Sequence, residues 1–222
     1  MDNLFDDFYN YAGFGPAIQS RKAPPESIAK YHGKLPDKLL EYWQEFGWCG
    51  WAKGLFWMVN PEEWEVVMEA WIGDTDLAKL DDYHVFARSA FGELYLWGKK
   101  SGQSLRINPT DGWIFPNDET EEIEKRGENR QLQLCFSSFT RDHIDMKDAN
   151  DKLLFERSLN KLGPLDHDTV YGFEPALALG GPCRLENLKK LNAFVHLEIL
   201  AGLCERRVMG DIWKAVKEAG LR

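Results

Sequence analysis

Long apolar runs are absent from this chain of 222 residues. No segment approaches the roughly 18 consecutive apolar residues that mark a membrane-spanning helix. The first residues, from Met1 to Asp7, are acidic where an export signal carries basic residues. We therefore expect a cytoplasmic protein that has no membrane partner. The length is sufficient for one large domain or two small ones around a hydrophobic core, which argues against a disordered chain.

Cysteine and positive charge are also scarce. The four cysteines, Cys49, Cys135, Cys183 and Cys204, include no Cys-x-x-Cys pair and are too few for a disulfide scaffold, so they are expected to be buried free thiols. The chain has 27 Lys and Arg against 36 Asp and Glu, a net charge of −9. Because nucleic-acid binding needs clustered cations against the phosphates, this balance argues against nucleic acid as a direct ligand.

Sequence motifs for cofactors and metals are missing. No Gly-rich phosphate loop precedes a predicted helix, and the five histidines lack metal-ligand spacing. We therefore predict no cofactor, no metal site and no enzymatic activity. The alternative is a hydrolase or transferase that uses His167, which lies between two aspartates, or Cys183, which precedes Arg184.

Tryptophan divides the chain into two parts. Eight of the nine tryptophans lie between residues 43 and 113, whereas the remainder has Leu, Val and Ala at helical spacing. This difference predicts an α+β protein with two cores. The first is a Trp-rich N-terminal module over residues 1–116, with helices on an antiparallel sheet. The second is a mainly helical C-terminal module over residues 117–222.

Proline, asparagine and glycine mark the ends of many predicted elements. In the first module, helices are predicted over 4–12, from Pro25, over 35–47 and from Asn60, where Asn is the cap and Pro61 the first helical residue. Short apolar runs predict strands at 54–59, 83–88, 94–98, 104–107 and 112–115, the last four as an antiparallel meander. In the second module, helices are predicted over 118–134, 148–162, 186–204 and 211–219.

Acidic residues are concentrated in two segments. From Asn60 to Asp82, eight acids accompany the single cation Lys79, and from Asp118 to Glu128 six acids accompany two cations. One interpretation is a negative surface that binds a basic protein, with Trp64 and Trp71 as anchors if they are exposed. The alternative is that both segments are solvated helix faces. The candidate partner-binding residues are Glu62, Glu63, Glu65, Glu69, Trp71, Asp74, Asp76, Asp118, Glu121 and Glu122.

Both modules resemble known domains. The first resembles the GAD-like domain and, more loosely, the SUKH superfamily of immunity proteins, through Leu35-Pro36, residues 39–43 and 46–47, Leu55-Phe56 and the Asn60-Pro61-Glu62-Glu63 turn. The second resembles the domain usually found behind it, through residues 171–181, Glu186-Asn187-Leu188 and the helix that contains Leu197, Ile199 and Leu200. Together the matches cover most of the chain.

The resemblance implies a bacterial immunity protein encoded beside a type VI secretion effector. Such a protein binds and neutralises its cognate toxin, especially a DNase, by stoichiometric protein–protein interaction. An acidic surface suits a nuclease because a DNA-binding groove must be basic, and the carboxylates between Glu62 and Asp82 would then stand in for DNA phosphates. A non-catalytic regulatory scaffold of the SUKH type is the alternative that the resemblance leaves open.

Overall fold

The computed structural model describes residues 2–210. The helices in this range are α1 (Asn3–Asp6), which continues into a π-helical turn over Asp7–Tyr11, α2 (Pro25–Tyr31), α3 (Asp37–Phe46), α4 (Pro61–Ile72), α5 (Thr120–Arg126), α6 (Glu128–Ser138), α7 (Arg141–Ile144), α8 (Phe155–Leu162) and α9 (Ala193–Leu203). The strands are β1 (Ile18–Arg21), β2 (Trp48–Trp51), β3 (Phe56–Met58), β4 (Tyr83–Ser89), β5 (Leu94–Gly98), β6 (Gly102–Asn108), β7 (Trp113–Pro116), β8 (Thr169–Phe173), β9 (Leu188–Asn192) and β10 (Arg207–Val208). The helix predicted over 211–219 lies outside the described residues. None of the helices inside them is long and apolar enough to cross a membrane.

Eight strands form one sheet in the order β1-β2-β3-β4-β5-β6-β7-β10. Neighbouring strands from β1 to β7 are antiparallel, whereas β10 is parallel to β7. Leu96 of β5, for example, faces Val85 of β4 on one side and Leu105 of β6 on the other. The predicted antiparallel meander is therefore confirmed, and it lies inside a larger sheet. Strands β8 and β9 form a separate antiparallel pair.

Local capping signals set the positions of α3 and α4. Helix α3 follows Pro36 and ends at Gly47, whose φ of 72° is a backbone conformation that glycine adopts without a Cβ clash. Helix α4 is capped by Asn60, whose side chain accepts the backbone N–H of Glu62 at 3.3 Å, and Pro61 occupies its first turn. Both helices were predicted, and α4 carries many of the acidic residues in the first acidic segment.

Helices cover both faces of the large sheet. Phe56 and Trp57 are consecutive in β3 and therefore point to opposite faces. On the Phe56 face, the ring of Phe136 in α6 lies 6.2 Å from the ring of Phe56. On the Trp57 face, α4 packs against α9, and the indole N–H of Trp71 donates to the carbonyl oxygen of Leu197 at 3.0 Å. The predicted α+β class is confirmed by this arrangement.

A single buried cluster runs through both predicted modules. Phe136 and Leu197, which belong to the second module, are fully buried against residues of the first. The expectation of two separate cores is therefore wrong, because α6 and α9 supply apolar side chains to the two faces of the same sheet. The segments on either side of the predicted boundary at 116–117 share one core within residues 2–210.

Three predicted helices of the second module differ from the observed elements. Residues 118–134 contain the whole of α5 and the first part of α6, and Gly127, with a φ of 79°, separates the two helices. Residues 148–154 precede α8 and are not helical, because the carboxylate of Asp148 accepts the backbone N–H groups of Asn150 and Lys152 and so closes a turn. Residues 188–192 form β9, and α9 begins only at Ala193.

Arg88 joins the large sheet to the C-terminal part of the chain. Its side chain in β4 is fully buried, with the guanidinium carbon 4.9 Å from a ring centroid of Trp57 and 5.6 Å from that of Trp64. Nη2 donates to the carbonyl oxygens of Asp166, at 2.8 Å, and His167, at 3.2 Å. The cation therefore holds β3, β4 and α4 against the loop that precedes β8.

Candidate functional site

Helix α4 separates its apolar and acidic side chains onto two faces. Trp64, Val67 and Trp71 are fully buried, whereas Glu62 and Glu65 are exposed. Trp64 and Trp71 therefore cannot serve as exposed anchors, and the expectation for Trp71 as a partner-binding residue is corrected. Both indoles instead pack against the sheet and α9. The acidic face of α4 remains available to a partner.

Four cations, three of them from distant parts of the sequence, neutralise much of the first acidic segment. Arg21 pairs with Glu63 at 2.8 Å, Lys30 with Glu62 at 2.5 Å and with Glu65 at 3.6 Å, Lys79 with Asp76 at 2.8 Å, and Arg206 with Asp74 at 2.6 Å. The guanidinium of Arg206 lowers the pKa of Asp74 through its hydrogen bonds. The count of acids along the sequence therefore overstates the negative charge of this surface.

A groove of about 740 Å³ lies where α4 meets the start of β4. We call it the acidic groove. Its lining consists of Lys34, Glu65, Val66, Met68, Glu69, Ala70, Asp82, Tyr83 and His84. Two of the predicted partner-binding residues, Glu65 and Glu69, thus come together with Asp82. No lysine or arginine within residues 2–210 forms an ion pair with Glu69 or Asp82, so these two carboxylates carry charge that the described part of the chain does not neutralise.

His84 lies in the wall of the acidic groove with one ring nitrogen unpartnered. Only 8% of the residue is exposed, and no group in residues 2–210 forms a hydrogen bond with its buried Nε2 atom. The nearest carboxylate oxygen, Oδ2 of Asp82, lies 3.6 Å away, which is too far for a hydrogen bond. Burial lowers the pKa of His84, although the charge of Asp82 opposes this shift. The imidazole is therefore neutral at pH 7 and keeps a free polar nitrogen.

The second acidic segment begins close to the start of β4, where the acidic groove lies. Burial raises the pKa of Tyr83, a residue of the acidic groove, and the charges of Asp81 and Asp118 add to the shift. Asp118 accepts hydrogen bonds from the backbone and side chain of Thr120 at the start of α5. Its carboxylate therefore contributes to the field at Tyr83 while it also shapes the turn before α5.

Cations of α5 neutralise the other predicted residues of this segment. Lys125 lies 3.5 Å from both Glu121 and Glu122, and Arg126 lies 3.0 Å from Glu122. These pairs join side chains three or four residues apart on one helix. Glu121 and Glu122 are therefore part of a mixed-charge helix face and do not line the acidic groove.

Sequence reasoning missed His84 and Lys34 as residues of the site. Asp82 belongs to the first acidic segment but is not among the predicted partner-binding residues, because nothing in the neighbouring sequence distinguishes it from Asp81. The side chain of Asp81 instead accepts the backbone N–H groups of Lys100 and Ser101, both at 2.8 Å. His84 is one residue of a wholly buried strand, and the sequence carries no signal that its Nε2 lacks a partner.

A second groove, of about 470 Å³, lies on the Phe56 face of the sheet. Arg106 in its wall stacks on Phe115, with 4.6 Å between the guanidinium carbon and the ring centroid. The Nε atom of Arg106 lies 3.4 Å from Glu93, and the hydroxyl of Tyr95 donates to Glu93 at 2.9 Å. Burial raises the pKa of Glu93, and the charge of Arg106 opposes the shift. These polar groups contact one another, so they offer few hydrogen-bonding positions to a ligand.

His167 and Cys183, the two residues considered for an enzymatic activity, both form structural contacts. A ring nitrogen of His167 lies 2.7 Å from the carbonyl oxygen of Gln19, and the ring packs on Trp57 at 5.0 Å. The thiol of Cys183 donates to the carbonyl oxygen of Lys147 at 3.3 Å, and burial raises its pKa. A nucleophilic cysteine needs a lowered thiol pKa, so this environment does not activate Cys183. Across residues 2–210, no three His, Cys, Asp or Glu side chains form a group that could hold a metal ion.

Comparisons with known proteins identify both domains. Residues 4–111 match the family model of the GAD-like domain, and residues 129–204 match that of the C-terminal domain of the type VI secretion immunity protein Tdi1. The crystal structure of Atu4351 from Agrobacterium tumefaciens is similar to this chain, with 26% sequence identity, a TM-score of 0.75 and coverage of 85% of each chain. No curated protein matches the sequence. The predicted domain composition is confirmed by the two family models.

Proposed function

Because the chain carries a GAD-like domain followed by the C-terminal domain of the type VI secretion immunity protein Tdi1, we propose that it binds and neutralises a cognate toxin. The match over residues 129–204 is the observation that carries this proposal. The toxin is a DNase, and inhibition is stoichiometric, without turnover by the immunity protein itself. Binding takes place in the cytoplasm, where the toxin would reach the chromosome.

The charge of the chain supports a nuclease as the partner. A nuclease must attract DNA phosphates with a basic surface, and this protein has a net charge of −9. Opposite charges speed the encounter of two proteins and favour the correct partner over others. The acidic groove, in which Glu69 and Asp82 lack a cationic partner among the described residues, is the surface proposed to receive the toxin.

Co-expression tests this function directly. The protein is produced with the product of the neighbouring effector gene, recovered through a tag on one partner and assayed for DNA degradation. The expected result is capture of the toxin at a fixed stoichiometry, with loss of its DNase activity in the complex. Absence of capture would favour the regulatory scaffold of the SUKH type. A turnover of the protein's own that His167→Ala abolishes would favour the hydrolase or transferase.

Charge reversal tests the proposed surface. The double variant Glu65→Lys/Glu69→Lys should slow association with the toxin by about tenfold at low salt and weaken its salt dependence. The matched control is Glu45→Lys/Glu186→Lys, which makes the same change of charge at two exposed residues outside the acidic groove. Stopped-flow association rates measure the effect, and melting curves confirm that all variants fold. Equal rates for the two double variants would mean that the groove is only a solvated face.

A further inference from the structure

The acidic groove combines apolar walls with an acidic rim. Val66, which is 64% exposed, lies on it together with Met68 and Ala70. The carboxylates of Glu69 and Asp82 lie around these side chains. A ligand that fits both parts has an apolar stem and a cationic end, which is the composition of a lysine or an arginine side chain.

Buried polar atoms in the wall discriminate between these two side chains. Nε2 of His84 has no hydrogen-bond partner within the described part of the chain and lies 3.6 Å from Oδ2 of Asp82. Arginine binding requires the tautomer of the neutral imidazole with its proton on Nδ1, in which Nε2 and the carboxylate oxygen are two acceptors for the N–H groups of one planar donor. A guanidinium has five N–H donors in a fixed plane, whereas an ammonium is a point charge. The pair of acceptors therefore favours arginine.

A second buried polar atom lies behind His84. The hydroxyl of Tyr31 has no hydrogen-bond partner within 3.5 Å among residues 2–210, although Lys30 lies near enough to oppose the rise of its pKa, and the ring of Tyr31 meets the ring of His84 edge-on at 5.3 Å. The charges of Glu65 and Glu62 reach this hydroxyl, and burial is the main cause that raises the pKa of Tyr31 to about 12. Unpartnered buried polar atoms are rare in folded proteins and mark places where a partner group is missing.

We infer that the acidic groove is a binding site for a single arginine side chain of the cognate toxin. The guanidinium lies between Asp82 and Glu69 and donates to Nε2 of His84, while its methylene stem covers Met68 and Ala70. Lys34 is the one cation in the lining, and Lys30 already pairs with Glu65. The attraction therefore comes mainly from Glu69 and Asp82. This inference rests on the proposed function for the identity of the partner, but the chemistry of the site is independent of it.

A small-molecule probe tests the site without the toxin. N-acetyl-L-arginine amide is titrated into the full-length protein, and the imidazole signals of His84, assigned with His84→Gln, are followed by NMR. The expected result is a saturable shift in the millimolar range, at least about fivefold weaker binding of N-acetyl-L-lysine amide, and no shift with the uncharged isostere N-acetyl-L-citrulline amide. Asp82→Asn should weaken arginine binding by about tenfold, whereas Glu45→Gln, outside the groove, should leave it unchanged.

The outcomes separate the arginine site from the immunity function. Unchanged His84 signals with the arginine probe, or equal shifts with arginine and citrulline, would overturn the inference even if the toxin is captured. Equal affinity for arginine and lysine probes would overturn the arginine preference. Probe binding without capture of the toxin would instead refute the proposed function and its partner. Full support requires that Asp82→Asn weakens both probe binding and toxin capture.

Discussion

Replacement of Arg88 offers a sharp test of what holds the two parts of the chain together. The guanidinium is fully buried, and burial lowers its pKa to about 9. The ordinary value is 12.5, so moving the charged side chain from water to this buried position costs an energy on the order of 5 kcal/mol. The arginine remains charged at pH 7, and its contacts must offset this energy if it is to stabilise the fold.

Contacts of Nη1, Nη2 and the guanidinium face offset this energy, although the buried Nε atom has no hydrogen-bond partner among residues 2–210. Nη2 is shared by the carbonyl oxygens of Asp166 and His167, and Nη1 donates to that of Ser89 at 3.2 Å. Two such charged donors contribute about 3 to 6 kcal/mol together. The two indole faces add about 4 kcal/mol, at about 2 kcal/mol for each desolvated cation–π contact. The balance favours the charged arginine by about 2 to 5 kcal/mol after burial is subtracted.

Two substitutions distinguish the energy of the Arg88 contacts from the energy of packing at this position. Arg88→Met keeps most of the volume and should lower the free energy of unfolding by about 2 to 5 kcal/mol, whereas Arg88→Ala should lower it further because it adds a cavity. Urea denaturation at pH 7, followed by both tryptophan fluorescence and far-UV circular dichroism, measures the change and checks for two-state behaviour. An Arg88→Met protein as stable as the wild type would refute the reasoning, because it would mean that the contacts do not offset the burial of charge.

Three further outcomes follow from the charges of the fold. Burial lowers the pKa of His84, His167 and His196, so NMR titration should give each imidazole a pKa below the ordinary 6.5. As the pH falls below 6.5, the unfolded chain should bind more protons than the folded chain, and the protein should therefore lose stability. A pKa above 6.5 for any of them would contradict this. Burial raises the pKa of Glu93 above 4.5, so the folded state loses stability as the pH rises from 4.5 to the folded pKa, and Glu93→Gln should raise the Tm at pH 7 in a thermal melt; a lower Tm for the variant would show that the Arg106 pair outweighs burial. Arg206 donates to two carbonyl oxygens at the end of α4, so Arg206→Ala should lower the free energy of unfolding in urea by about 1 to 2 kcal/mol. Asp74→Asn should lower it far less. Equal losses for the two variants would show that the effect comes from the ion pair.

Elements with strong local signals could be predicted from the sequence. Helices α3 and α4 begin at proline and asparagine signals and end at glycine, and strands β4 to β7 are apolar runs between turn residues. The errors arose where tertiary contacts decide. Residues 188–192 carry enough leucine to resemble a helix, but pairing with β8 makes them a strand. The two residues of β10 have no local signal at all, and only their pairing with β7 creates the strand.

The candidate site could be predicted only in part, for the same reason. The sequence identifies the acids of α4, and the helical period places Glu65 and Glu69 on one face. It does not show that Arg206 or Lys30 neutralises some of the neighbouring acids, since these cations are far away along the chain. The burial of Trp71 depends on α9, which follows more than a hundred residues later. Similarly, the free nitrogen of His84 depends on how β4 and α4 meet.

The hydrogen bond from Trp71 to Leu197 has a consequence for how such proteins can diversify. Because α4 and α9 pack as one layer, a hybrid gene that joined the first 116 residues of this chain to the remainder of a distant relative would have to preserve the mutual fit of the two helices. Recombination at this point between distant homologues would separate two helices that pack on each other. Point substitutions on solvated side chains meet no such constraint, and evolution of toxin recognition would therefore proceed through them.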